Sequence, residues 1–100
     1  MLVIAGEIEI DPANRDKAIE AAKEMMTETH KESGCITYVF TLDLSDPGKF
    51  RIFEEWESQE ALDAHFAAPH MAKFGATIGQ LGVKNMSVQK YQVSSVGPVR

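Results

Sequence analysis

Residues 53–74 read FEEWESQEALDAHFAAPHMAKF. Up to Glu57 the stretch alternates like a strand. Ser58 is suited to cap a helix, and Glu60 falls in its first turn, where the helix dipole favours a carboxylate. Ala61 stands where a capping box would need Glu or Gln. Ala61, Leu62, His65 and Phe66 fall on one helical face. Pro69 lacks an N–H and breaks or kinks that helix. A second helical piece then carries Met71, Phe74, Gly75 and Ile78 on one side, and Gly79 and Gly82 end it. The only Trp and two of the three His lie here.

Working outward toward the N-terminus, Lys49 to Glu57 is a strand. Phe50, Ile52, Glu54 and Trp56 share one face, and Arg51, Phe53, Glu55 and Glu57 share the other. Ser45-Asp46-Pro47-Gly48 is turn chemistry and makes a hairpin with the run Cys35 to Leu44. In that run Ile36, Tyr38, Phe40, Leu42 and Leu44 alternate with Thr37, Val39 and Thr41. Asp11-Pro12 opens an earlier helix. Ala18, Ala22, Met25, Met26 and Thr29 keep helical spacing within it, Glu32 belongs to its wet side, and Ser33-Gly34 ends it. Leu2 to Ile10 alternates as a first strand and Val83 to Val93 forms a last one. The order βαββαβ predicts an α+β fold, a ferredoxin-like antiparallel sheet with both helices on one face. Residues 1–94 form the single domain and 95–100 a tail. Val3, Ala5, Val39, Phe53, Met86 and Val88 are expected on the helix-free face. So much apolar surface predicts a homodimer through that sheet face.

Composition narrows the function. One hundred residues make one domain, and the formal charge of −5 opposes binding to nucleic acid or to an anionic membrane surface. No apolar run is long enough for a membrane span, and the N-terminal alternation is unlike a signal peptide. The lone Cys35 cannot form an internal disulfide, so a cytoplasmic setting is expected. Phosphate loops, dinucleotide fingerprints and serine nucleophile elbows are missing from the text.

Three motifs resemble the antibiotic biosynthesis monooxygenase family. Glu32-Ser33-Gly34-Cys35-Ile36-Thr37-Tyr38 is similar to its Glu-Pro-Gly-Cys-x-x-Tyr, with Ser33 departing from Pro. Pro47-Gly48-Lys49-Phe50 followed by Glu54-Glu55-Trp56-Glu57-Ser58 is similar to its Pro-x-x-Phe and Glu-x-Trp-x-Ser. The third is Glu60-Ala61-Leu62-Asp63-Ala64-His65, with His70 and Phe74 beyond it. The resemblance implies a dimeric α/β barrel with a pocket between the sheet and helices of each subunit. It implies oxygenation of quinols or polycyclic phenols by dioxygen, with no flavin, haem or metal. Haem-degrading relatives carry an Asn on the first strand, a helical Trp and a later His, and this chain matches none of the three.

Each candidate has a chemical and a structural reading. His65, on the apolar side of its helix, is either a proton acceptor at the pocket or a histidine that satisfies a backbone group. Glu54 shares its face with Phe50, Ile52 and Trp56, so desolvation should raise its pKa and make it the other candidate base. Alternatively it pairs with a neighbour and serves the fold. Trp56, Tyr38, Met25 and Met26 could hold an aromatic substrate, or simply form core. His70 and Phe74 are further substrate-binding candidates. His65 and His70 stand five apart across a proline, unlike the i, i+4 pair of a helical zinc site, and no third ligand is evident, so no metal is expected. His30 is assigned to its helix's dipole, and Cys35 reads as inert.

The expected function is a cofactor-independent monooxygenase taking a small aromatic quinol or phenol and dioxygen, with His65 or Glu54 as base. The alternatives are another enzyme on this scaffold, such as an isomerase, or a non-catalytic small-ligand-binding dimer.

Overall fold

The computed structural model describes all residues, Met1–Arg100. The chain runs β1 (Leu2–Ile10), α1 (Arg15–Thr29), β2 (Cys35–Leu42), β3 (Lys49–Trp56), α2 (Gln59–Phe66), α3 (Pro69–Ile78) and β4 (Val83–Gln92). A short 3-10 turn, Pro12–Asn14, precedes α1, with the Asp11 carboxylate accepting the Ala13 N–H at 3.0 Å. The four strands form one sheet in the order β2-β3-β1-β4, with every neighbouring pair antiparallel. This is the ferredoxin-like α+β arrangement expected from the strand and helix order. Residues after Val93 carry no helix or strand.

Two side-chain layers fill the space under the helices. Leu2, Ile4, Met25, Tyr38, Ile52, Trp56 and Leu62 pack at one end of the sheet. Ile8, Ile10, Ala18, Phe50 and Leu81 pack at the other, and Phe40 touches both groups. The alternation of β1 and β3 therefore sends Leu2, Ile4, Ile8 and Ile10, with Phe50, Ile52, Glu54 and Trp56, to the helix side.

Two register details differ from the arrangement expected of the sequence. The β2–β3 ladder shifts between Cys35 and Thr37, so Cys35 pairs with Trp56 and Tyr38 with Glu54. The extra residue is Ile36, half exposed, and Cys35 packs against the core in its place. In β4, Met86 pairs with Ile8 and Val88 with Gly6, which puts both on the helix side and not on the free face. They stay exposed because β4 is an edge strand, exposed along its whole length. The free face carries Val3, Ala5, Val39, Phe53 and Tyr91 instead.

Gly6 makes the close approach of β4 feasible. A Cβ there would lie 2.1 Å from the Ser87 carbonyl oxygen and 2.5 Å from the Val88 Cα. The backbones pass closer than any side chain permits.

Candidate active site around Glu32 and His65

The site is assembled where α1 ends. The helix stops at Thr29, and the Glu32 N–H donates to the Thr29 carbonyl at 3.0 Å. Gly34 then turns the chain into β2 with φ of +85°, a conformation that glycine adopts without strain. Its carbonyl accepts the Glu57 N–H at 2.9 Å, which ties the loop to the end of β3. A Cβ on Gly34 would sit 2.5 Å from the Ala61 Cβ. The first turn of α2 therefore packs directly on this glycine, and the next turn carries His65 over Glu32.

Ser58 caps α2 as expected, its hydroxyl accepting the Ala61 N–H at 3.2 Å. The helix ends at Phe66, Ala68 is extended (φ −72°, ψ 146°), and Pro69 is the first residue of α3. The proline starts a new helix instead of kinking one, because the residue before a proline avoids helical geometry. The break swings His70 back toward the same loop.

Glu32 receives both histidines. His65 Nδ1 and His70 Nε2 each lie 2.7 Å from Glu32 Oε2. An ionised carboxylate only accepts, so each ring donates an N–H to it. In a neutral His65 the lone pair is then on Nε2. Helical periodicity places Glu32 on the wet side of the first helix, but α1 ends at Thr29, so that pattern does not reach it. The signal for it was its place at the head of the Glu-Ser-Gly-Cys motif.

His65 is almost fully buried. Its ring centroid stands 4.8 Å from that of Trp56 and 5.4 Å from that of Tyr38. The Trp56 indole N–H donates to Glu54 Oε1 at 2.8 Å. Burial pushes the Glu54 carboxyl up to about 7, against the Trp56 hydrogen bond, which favours the ionised form; the Glu32 charge adds to the rise. Burial first, then the charges of Glu54 and Glu32, raise the Tyr38 phenol, so Tyr38 is held protonated. The same three causes raise the Cys35 thiol, which makes it a poor nucleophile. His30 does more than face a helix end: its Nε2–H donates to the Tyr38 carbonyl at 2.9 Å and fastens α1 to β2.

The candidate residues divide spatially. His65, Glu54, Trp56 and Tyr38 meet with Glu32 and His70 in one cluster. Trp56 and Met25 are 0% and 1% exposed, so they fill space that a substrate would otherwise occupy. Met25, His70 and Phe74 border a void of only about 10 Å³. Met26 instead lines an apolar cleft of about 160 Å³ with Ile19, Phe40, Leu42 and Phe50, between α1 and the outer strand β2. That cleft is smaller than the ~300 Å³ or more typical of small-molecule pockets.

A ferredoxin-like sheet, with a His–carboxylate cluster built around the buried His65 where the helices meet the loop after α1, marks a small α+β protein. A family model described as antibiotic biosynthesis monooxygenase matches residues 1–77. The chain belongs to that family. An uncharacterised protein of Synechocystis is 29% identical over 93 residues, covering 93% of this chain and 63% of its own length. A Mycobacterium tuberculosis protein named as a candidate monooxygenase is 34% identical over 64 residues, covering 64% of this chain and 62% of its own length. The chain thus spans less than two thirds of these curated relatives. The crystal structure of a Deinococcus radiodurans protein, described as a candidate antibiotic biosynthesis monooxygenase, superposes with a TM-score of 0.93 over 100% of this chain and 99% of that one; at 23% identity this speaks for the fold alone. No helix is long and apolar enough to cross a membrane.

Proposed function

We propose that the protein is a cofactor-independent monooxygenase that oxidises a quinol or polycyclic phenol with dioxygen, working as a homodimer. One oxygen atom enters the ring and the other leaves as water, and the substrate supplies all four electrons. Dioxygen reacts slowly with closed-shell molecules, and deprotonation of a phenol produces an anion able to give up one electron. The protein then contributes a base and a dry environment for that anion.

The observation that carries this reading is the 2.7 Å hydrogen bond from His65 Nδ1 to Glu32. It orients the ring with Nε2 free to accept a proton, and Glu32 stabilises the imidazolium that results. Glu54, held near neutrality in its acidity, is the second base. Trp56 and Tyr38 are the aromatic walls. Met26 and Phe74 are the deformable side, and the cleft beside Met26 is where the ring would begin to enter. His70 helps hold Glu32, and Met25 backs the wall.

Oxygen uptake with a panel of hydroquinones and polycyclic phenols tests the proposal. Uptake should match substrate loss one to one, without hydrogen peroxide. His65→Ala should lower kcat by about 10²–10⁴-fold, the usual worth of a general base. Unchanged turnover in both His65→Ala and Glu54→Gln would remove both bases.

The complete burial of Trp56 and Met25 favours a second reading, a non-catalytic small-ligand-binding dimer. It predicts ligand-induced quenching of Trp56 fluorescence with no oxygen uptake for any substrate.

A further inference from the structure

We infer that Glu32, His65 and His70 form a binding site for a divalent transition-metal ion of the zinc type. The inference does not rest on the oxygenase reading. Their ligating atoms all lie within 4.8 Å of one another. They come from three separate segments: the loop after α1, the body of α2, and the start of α3. Spacing in the sequence could not suggest this set, since the third ligand lies 33 residues before His65.

Geometry and chemistry agree. Around a tetrahedral zinc ion with bonds of ~2.0–2.1 Å, neighbouring ligand atoms stand roughly 3.3–3.5 Å apart. Glu32 Oε2 is 2.7 Å from each ring nitrogen and the two nitrogens lie within 4.8 Å of each other, so opening each carboxylate gap by under ~1 Å, with the two rings adjusting to the same spacing, admits the ion. Two imidazoles and one carboxylate suit zinc, cobalt, nickel or iron better than calcium or magnesium, which prefer all-oxygen sets. The Glu32 carboxylate is held by these two histidines, so no lysine or arginine has to be displaced. The side chains of His70 and Glu32 are 17% and 16% exposed, which leaves a side open to an ion and to a water completing its shell. His65 supplies the rigid floor.

Binding has a consequence for the ring. An ion on His65 Nδ1 moves the ring proton to Nε2. A bound metal and a basic Nε2 therefore exclude each other, and the site serves one of the two at a time.

Cobalt is the direct probe. Untagged protein, stripped with chelator, is titrated with Co²⁺ and followed by visible absorption, then with Zn²⁺ by calorimetry. One ion per chain should bind, with the visible bands of four- or five-coordinate Co²⁺. Ca²⁺ should neither bind nor displace it. Affinity should fall in His70→Ala and Glu32→Gln by more than the ~10–100-fold that follows removal of a group behind a ligand, and should persist in His30→Ala. Circular dichroism checks that each variant is folded. Absence of cobalt bands in the wild-type protein overturns the site, whatever the variants do. So does zinc binding that survives unchanged in folded His70→Ala and Glu32→Gln.

Discussion

Glu54 shows what one buried carboxyl does to a small protein. Its acidity sits at about 7 in the folded chain against an ordinary 4.5. Between those values the native state keeps a proton that the unfolded state has lost. Stability therefore falls as pH rises through that window, by on the order of 3 kcal/mol when complete. Glu54→Gln keeps an acceptor for the Trp56 indole but cannot ionise. Urea unfolding at pH 4.5 and pH 8 should show the variant gaining about 2–3 kcal/mol on the wild type between the two. Parallel pH curves would mean that Glu54 is not desolvated. The odd placement of Glu54 was visible in the text, as a carboxylate in phase with Phe50, Ile52 and Trp56. Its partner, the Trp56 N–H, was not, because only rotamers in a packed core decide which of several neighbours a side chain meets.

At the scale of elements, the junction of α1, β2 and α2 holds the site together, and two glycines separate its causes. Gly34→Ala places a methyl group 2.5 Å from the Ala61 Cβ and forces an L-residue to φ of +85°. The conformational cost alone is about 1–2 kcal/mol, and the clash must push α2, and His65 with it, off Glu32. A loss of roughly 2 kcal/mol or more is expected, a drop of about 10 °C in Tm. Gly75→Ala lies inside α3 with nothing within 4 Å of the new atom. It should raise stability by about 0.5–1 kcal/mol through helix propensity. Equal effects of the two changes would show that the Gly34 contact does not position α2. Helix starts and stops were legible here: Ser58 caps α2, and Pro69 begins α3. The exit of α1 was less so. Chain geometry ends the helix at Thr29, several residues before the glycine that looked like its terminator, and this frees Glu32 to turn inward.

The whole molecule leaves an apolar face uncovered. Phe53 and Tyr91 are 41% and 48% exposed there, beside Val3, Ala5 and Val39. Toward the other end the face is charged, with Arg51 bridging Glu7 at 3.0 Å and Asp43 at 3.3 Å, and Lys49 beside Glu9 at 3.2 Å. An apolar patch rimmed by charge is the usual form of an interface, and the proposed homodimer would bury it. Light scattering on eluting protein should give twice the chain mass. Phe53→Lys should give a folded monomer. A monomeric wild type, or a dimer indifferent to Phe53→Lys, would send the partner surface elsewhere, with the two-sided exposure of β4 as the next place to look.

The sequence by itself determined the elements, their order and which faces of β1 and β3 meet the helices. These follow from period-two and helical patterning together with local cap and turn chemistry, which act over a few residues. It also carried the three motifs by which the family is recognised. The tertiary structure alone decided the β2 bulge at Ile36, the facing of Met86 and Val88, and the meeting of Glu32 with His65 and His70. Each of these depends on how distant segments pack. A one-residue shift in strand pairing changes which residues face the core, and a carboxylate in a loop has no periodicity to announce its partners until the fold brings them to it.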